Sequence, residues 1–404
     1  MIVSNWSDAS FALDVAYNFG QTIDIADIIS IKTFANTEFC PRFISDEADL
    51  NNIGVGLKGK RVYIISTSSP QHTRVELAMR NFLIASAAKE NGAERVVLVE
   101  PDLFFSAQDR GPHTVEHPQM NSPRDRKKFD GQPFSARLYA EMLYRSGVDQ
   151  VITVHNHKPE VLRSIYAEVF QGATYQPAFL NLDVAHLVAN YILNSVTAEK
   201  NGANLGFVAP DQGASDFVRR VQRLTGLKES VLVVLEKTRL GQRNVEISAT
   251  DELRQLKGRE VFVLDDMVRT GGTIATAIEL LAENPETRPA NIFFYCTHTY
   301  ISPEGRENLN SPNLTEFITT NTLPNVLNRD DQGRLRTKMV VMKIEKFIAD
   351  ALVHCLEGGQ SPEERYTAES VPLADQYYQL DFSSRNARRS KRAANQLTFP
   401  LRAS

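Results

Sequence analysis

Val261-Phe262-Val263-Leu264-Asp265-Asp266-Met267-Val268-Arg269-Thr270-Gly271-Gly272-Thr273 is the stretch on which the fold turns. Four apolar residues run straight into an acidic pair, then a glycine turn, then the helical pattern IATAIELLAE. An apolar run of this length bounded by turn residues predicts a buried parallel strand. The glycines permit a tight strand-to-helix turn with outward-facing backbone N–H groups. Such a turn opening a helix makes a nest for phosphate, to which Thr270 and Thr273 add hydroxyls. Asp265 and Asp266 suit sugar hydroxyls or a bound Mg²⁺. The same residues would also serve as a charged turn in an ordinary α/β protein.

The totals bound the rest. The chain has 404 residues, 42% of them apolar and 23% charged, as expected of a globular protein of two or three domains. A net charge of −4 gives no whole-protein argument for nucleic acid or anionic membrane as partner. Cys40, Cys296 and Cys355 are odd in number and far apart, which argues against a disulfide framework or zinc motif and for a reducing, cytoplasmic setting. No 18-residue apolar run predicts a membrane helix, and MIVSNWSDAS does not have the pattern of a secretory leader.

From Lys60 strands alternate with helices: RVYIIST, a helix over about 74–91, RVVLVEP, a helix over about 135–146, and GVDQVITVH. A second series begins near Leu180 with LGFVAPDQG, SVLVVLEK, VFVLDD, NIFFYCTH and MVVMKI, closed by the helix EKFIADALVHCLEG. Alternation of this kind predicts parallel sheets with right-handed crossovers. Residues 106–132 read as a long exposed loop at a strand's C-terminal end, where α/β sites are built. Residues 384–404 are basic, with Arg385, Arg388, Arg389, Lys391, Arg392 and Arg402 and no acid. They read as a nucleic-acid or acidic-partner arm, or as a disordered or surface-draped terminus.

Four strand ends carry candidate chemistry: His155-Asn156-His157 for a metal or phosphate, Asp211 in PDQG, Lys237 and Arg239 beyond SVLVVL, and the Asp265–Thr273 turn. Two cations past a strand end suit stabilisation of a transferring phosphoryl group. Each also has a plain structural reading, as a turn or a solvated loop.

The set resembles the phosphoribosyl pyrophosphate synthetase (ribose-phosphate diphosphokinase) family over about residues 30–355. LDDMVRTGGT is similar to the family's VDDMIDTGGT, FANTE to FSDGE or FSNQE, SAQDR to ARQDR, VITVHNH to VxTVDLH, VAPDQG to VSPDxGG and LEKTR to the DKRR of its catalytic loop. The resemblance implies an α/β fold of two similar type I phosphoribosyltransferase-like domains, each with a mainly parallel sheet flanked by helices. The expected division is 1–172 (ATP side, inserted loop 111–132), 173–335 (ribose-phosphate loop 265–273), a closing strand and helix at 336–362, and a possibly disordered tail at 363–404. It implies transfer of the β,γ-pyrophosphoryl group of ATP to O1 of ribose 5-phosphate, with Lys237 and Arg239 catalytic. Phe34, Asn36, Glu38, Gln108, Asp109 and Arg110 are carried over as nucleotide contacts. Asp265, Asp266, Arg269, Thr270, Gly271, Gly272 and Thr273 are carried over as ribose-phosphate contacts, and His157 and Asp211 as Mg²⁺ positions. A homo-oligomer, dimer or hexamer, is implied as well.

The departures fall inside the site. Ala107 stands where the family has arginine, His155 where it has a carboxylate, Thr238 where it has arginine, and Arg269 where it has aspartate. Insertion 111–132 adds Arg124, Arg126, Lys127 and Lys128. Three readings follow: the synthetase itself, the same chemistry on a bulkier acceptor such as ADP-ribose, and a catalytically silent regulatory paralogue.

Overall fold

The computed structural model describes residues 1–114, 122–235, 238–240, 244–246, 251–300 and 302–382, with the backbone alone at 238–240, 244–246 and 251. It divides into two compact units, Met1–Leu182 and Asp183–Ser404, so the boundary falls after the strand Phe179–Leu182 and not after residue 172.

In the first unit the strands are β1 (Ile2–Ser4), β2 (Ile29–Thr33), β3 (Phe39–Phe43), β4 (Arg61–Ile65), β5 (Arg95–Val99), β6 (Gln150–Val154) and β7 (Phe179–Leu182). Five form one wholly parallel sheet in the order β1-β4-β5-β6-β7. β5 and β6 are buried along their whole length, which is why Val, Ile and Leu dominate both with no apolar–polar alternation. The crossover helix Arg74–Glu90 starts at a capping box. Thr73 Oγ1 accepts from the Glu76 amide, and the Glu76 carboxylate accepts from the Thr73 amide. β2 and β3 stand apart from the sheet as an antiparallel hairpin.

The second unit holds β8 (Leu205–Ala209), β9 (Val231–Val234), β10 (Thr238–Leu240), β11 (Asn244–Glu246), β12 (Glu260–Val268), β13 (Asn291–Thr299), β14 (Glu316–Thr320), β15 (Met339–Lys343) and β16 (Gln379–Phe382). Seven make a sheet in the order β16-β15-β14-β13-β12-β8-β9, parallel except for the antiparallel edge pair β15–β16. β10 and β11 form a separate antiparallel ribbon. Val261 to Leu264 of β12 are fully buried, between β8 and β13, as the opening stretch predicts.

The chain beyond 362 departs from the expected loose tail. Helix Pro362–Arg365, the 3-10 segment Ala368–Gln376 and β16 are folded. Tyr366 stacks on His186 at 4.8 Å, and the Tyr378 hydroxyl donates to Asn190 Oδ1 at 2.7 Å. Scattered aromatics docking on the helix Ala185–Ser195 hold this strap, so no hydrophobic period announces it. Residues 383–404, with the basic cluster, lie outside the described residues.

The first unit's core holds a carboxyl. Glu100, directly after β5, has no exposed surface, and burial pushes its carboxyl up from 4.5 to about 7. A raised folded-state value means the native form holds the proton longer than the unfolded chain does. The stabilisation is present in full below about pH 4.5 and is lost as pH rises through about 7. The expected result is a melting temperature that falls between about pH 5 and about pH 8, with up to about 3 kcal/mol at stake. Glu100→Gln should flatten that slope in calorimetric scans, and an unchanged slope would remove Glu100 as its source.

Candidate active site

In the first unit, Phe34–Glu38 is the tip of the β2–β3 hairpin. The Phe34 amide donates to the Glu38 carbonyl at 2.9 Å, the Thr37 amide to the Phe34 carbonyl at 2.8 Å, and the Glu38 amide to Asn36 Oδ1 at 3.2 Å. Phe34, Asn36 and Glu38 are exposed on this tip, and Lys32 Nζ lies 4.9 Å from the Phe34 ring centre. An exposed aromatic face beside a cation is chemistry that accepts a purine base.

Gln108, Asp109 and Arg110 follow β5 on the loop that the sequence reads as exposed throughout. The loop is firmer than that. Asp109 is buried, its Oδ1 3.2 Å from Arg110 Nε. The Gln108 carbonyl accepts from the Ala136 amide at 3.1 Å, and its side-chain oxygen accepts from Ser135 Oγ at 2.6 Å, which locks the loop to the start of helix Ser135–Arg145. The Arg110 guanidinium lies 4.8 Å from the ring centre of Phe129. Of the insertion's cations, Lys127 pairs with Asp130 and Lys128 with Asp125. Local acids therefore partly answer these charges.

His157 is exposed at the end of β6. The turn is set by its neighbours: His155 has φ 42°, and Asn156 Nδ2 donates to Thr153 Oγ1 at 2.8 Å while the Asn156 amide donates to Asn181 Oδ1 at 2.9 Å.

In the second unit β12 delivers the acidic pair. The Asp266 amide donates to Asp265 Oδ1 at 2.9 Å and the Met267 amide to Asp266 Oδ1 at 2.7 Å. Burial, and then the charges of Asp266 and Asp211, hold the Asp265 carboxyl well above the usual carboxylate range. Asp211, at the end of neighbouring β8, therefore belongs to the same electrostatic cluster. Its Oδ1 also caps a 3-10 turn, accepting from the Gly213 and Ala214 amides at 2.9 and 3.3 Å.

Gly271, with φ 69°, caps the helix Gly272–Glu283, and no side chain among the described residues takes up that helix's first amides. Open N–H groups of this kind, with Thr270 and Thr273 exposed beside them, have the chemistry to take up a phosphate. Arg269 is exposed at the rim, its guanidinium 6.0 Å from the ring centre of Tyr300.

The back of this turn is braced by residues that sequence reading passed over. Ser302 Oγ donates to the Arg269 carbonyl at 3.2 Å, and Asn308 Nδ2 to the Thr270 carbonyl at 2.6 Å. A Cβ on Gly305 would stand 2.8 Å from the Arg269 carbonyl oxygen, so only glycine lets the helix Pro303–Leu309 approach this closely. The Ser302-Pro303-Glu304 start is a legible helix signal, but nothing in it points to the turn. Lys237 lies outside the described residues, and Arg239 is described only as backbone in β10.

Among the described residues no three His, Cys, Asp or Glu side chains are grouped to hold a metal by themselves. Carboxylate oxygens clustered with their charges in conflict, and no closed cage, fit a hard cation carried in by phosphate oxygens. Among the described residues no helix is long and apolar enough to cross a membrane.

Comparison with known proteins matches residues 176–304 to the phosphoribosyl transferase domain family. A ribose-phosphate pyrophosphokinase of Methanopyrus kandleri is 30% identical over 271 residues, which are 67% of this chain and 78% of that protein. One from Oceanobacillus iheyensis is 23% identical over 359 residues, 88% of this chain and 97% of that protein. The crystal structure of phosphoribosylpyrophosphate synthetase from Mycobacterium smegmatis superimposes with a TM-score of 0.66 at 21% identity, covering 89% of this chain and 99% of the other, which shows the shared fold. By sequence across both units and by fold, this chain belongs to the ribose-phosphate pyrophosphokinase family of enzymes.

Proposed function

We propose that this enzyme transfers the β,γ-pyrophosphoryl group of ATP to O1 of ribose 5-phosphate, giving phosphoribosyl pyrophosphate and AMP. The observation that carries the reading is the Thr270–Thr273 turn, with open helix amides in front and a brace behind, directly beyond an acidic pair. The nest takes the 5-phosphate, and Asp265 and Asp266 orient the ribose hydroxyls. Phe34, Asn36 and Glu38 receive the base, and Gln108, Asp109 and Arg110 the rest of the nucleotide. Lys237 and Arg239 meet the charge that develops as O1 attacks the β-phosphorus and the bond to the AMP oxygen breaks. The protein performs little covalent chemistry, so positioning and charge stabilisation set the rate. Mg²⁺, when bound with ATP, neutralises the triphosphate, and His157 and Asp211 are the residues that would hold or orient it.

A homo-oligomer, dimer or hexamer, is part of the same proposal. Exposed Val75 and Met79 on helix Arg74–Glu90 and Leu138 and Met142 on helix Ser135–Arg145 support it.

Arg269, exposed beside the phosphate turn, favours a second reading in which the acceptor carries more negative charge, as ADP-ribose does. The test is AMP release from ATP and Mg²⁺, resolved by chromatography, with each acceptor in turn. AMP with ribose 5-phosphate alone, and a product that a phosphoribosyltransferase consumes, is the expected result. AMP with ADP-ribose alone would replace the first reading by the second. No AMP from protein that binds ATP would overturn both and leave a regulatory paralogue.

A further inference from the structure

Glu100 is a carboxyl with no exposed surface and, among the described residues, no cation among its hydrogen-bond partners. Its partners are neutral donors from four separate pieces of chain. Ser66, just past β4, donates to Oε1 at 2.6 Å. Asn81, on helix Arg74–Glu90, donates to Oε1 at 3.1 Å. Tyr139, on helix Ser135–Arg145, lies 3.2 Å from both oxygens. The backbone amide of Phe104 donates to Oε2 at 2.8 Å.

Every one of these leads to a segment assigned above to nucleotide. Phe104 opens the loop that carries Gln108, Asp109 and Arg110. Its ring lies against the Arg74 guanidinium, which pairs with Asp102 of the same loop. The helix that carries Tyr139 grips Gln108 through Ser135 and Ala136. On the other side, Asn5 Nδ2 donates to Ser66 Oγ at 3.0 Å and to Asn81 Oδ1 at 2.9 Å. The Asn5 carbonyl accepts from Arg80 at 3.3 Å, and Arg80 covers the Phe39 ring at 4.4 Å, next to Glu38 on the hairpin. One carboxyl thus sits at the junction of both nucleotide segments.

We propose that Glu100 is a positioning residue for ATP, acting through Phe104 and Tyr139 on the Gln108–Arg110 loop and through Ser66, Asn81 and Asn5 on the Phe34–Glu38 hairpin. The proposal rests on the nucleotide reading above. Packing alone gives no reason for a carboxyl here, since ionising it near neutral pH costs the fold stability. As a carboxylate it accepts from all four donors at once; protonated, it turns an O–H toward donors and loosens the junction. The charged and titratable groups that face it are Tyr139, Tyr166 and Arg74.

The test uses the full chain with ATP and Mg²⁺, in equilibrium binding and in steady-state AMP release. Glu100→Gln keeps the shape but sets an amide donor against the donors around it. It should weaken ATP binding and raise the KM for ATP about tenfold, leaving kcat and the KM for ribose 5-phosphate within about threefold. Tyr139→Phe should do the same to a smaller extent, about threefold. Wild-type ATP affinity should fall as pH drops from about 8 to about 6 more steeply than that of Glu100→Gln, since ATP's own titration is common to both. Folded Glu100→Gln with wild-type ATP affinity, or with equal losses for both substrates, would overturn the proposal. Should that variant not fold, unchanged ATP affinity in Tyr139→Phe would do so. Wild-type protein that binds ATP yet releases no AMP overturns the transfer reading and leaves Glu100 to be judged on binding. Wild-type protein that binds no ATP overturns both.

Discussion

Lys237→Ala is expected to reduce AMP release by about two to three orders of magnitude while ATP and ribose 5-phosphate still bind within about threefold of wild type. The transferring pyrophosphoryl group passes through a loose transition state whose charge spreads over its equatorial oxygens. A cation placed for that charge interacts weakly with either ground-state substrate and strongly with the transition state. Its loss therefore falls on kcat, at about 3–4 kcal/mol. β9 ends at Val234, at the same end of the parallel sheet to which β8 and β12 deliver Asp211 and the acidic pair, and Lys237 comes three residues later in the sequence. Single-turnover AMP release, with equilibrium binding measured beside it, separates the two quantities. Turnover unchanged in this variant would sink the mechanism, and an equal fall in binding and turnover would recast Lys237 as a ground-state contact.

The second large effect is expected from Gly271→Ala. With φ at 69°, an L-residue there costs about 1–2 kcal/mol of backbone strain, and its Cβ would stand 3.3 Å from Leu309 Cγ. The turn cannot slide away, because Ser302 and Asn308 hold the carbonyls of Arg269 and Thr270. Strain is relieved by rotating the peptide planes whose amides face the phosphate. The KM for ribose 5-phosphate should rise about ten- to a hundredfold with the KM for ATP unchanged. Adding Leu309→Ala removes the crowding but not the φ strain, so the double variant should recover little. Full recovery would assign the effect to packing, and wild-type kinetics in Gly271→Ala itself would remove the turn from the phosphate site.

Both experiments concern residues whose types were legible in the chain, whereas the surroundings that give them their effect were not. The run Val261–Leu264, the acids after it and the TGGT turn announce a buried strand, a strand end and a nest, because period, charge and glycine placement are local properties. The alternation of strands and helices from Lys60 announces parallel sheets for the same reason. By contrast β14, Glu316–Thr320, is fully buried yet reads as polar. Its hydroxyls are satisfied across the sheet, Thr319 by Thr299 at 2.6 Å and Thr320 by the Thr297 carbonyl at 2.8 Å. Partners twenty-odd residues distant are invisible to a hydrophobic period. The strap ending in β16 escaped notice likewise, because its aromatics find their contacts on a helix of the same unit far back in the chain.

What the sequence by itself determined is the fold class, the family resemblance and the placing of charged residues at strand ends. Tertiary structure alone decided which groups brace them: Ser302, Gly305 and Asn308 behind the Thr270–Thr273 turn, Asp211 beside Asp265, and Glu100 between the segments that lead to the Phe34–Glu38 hairpin and the Gln108–Arg110 loop. The physical reason is range. Backbone preference and amphipathic period act over a few residues, while desolvation, close approach and hydrogen-bond satisfaction depend on which distant segments fold against one another.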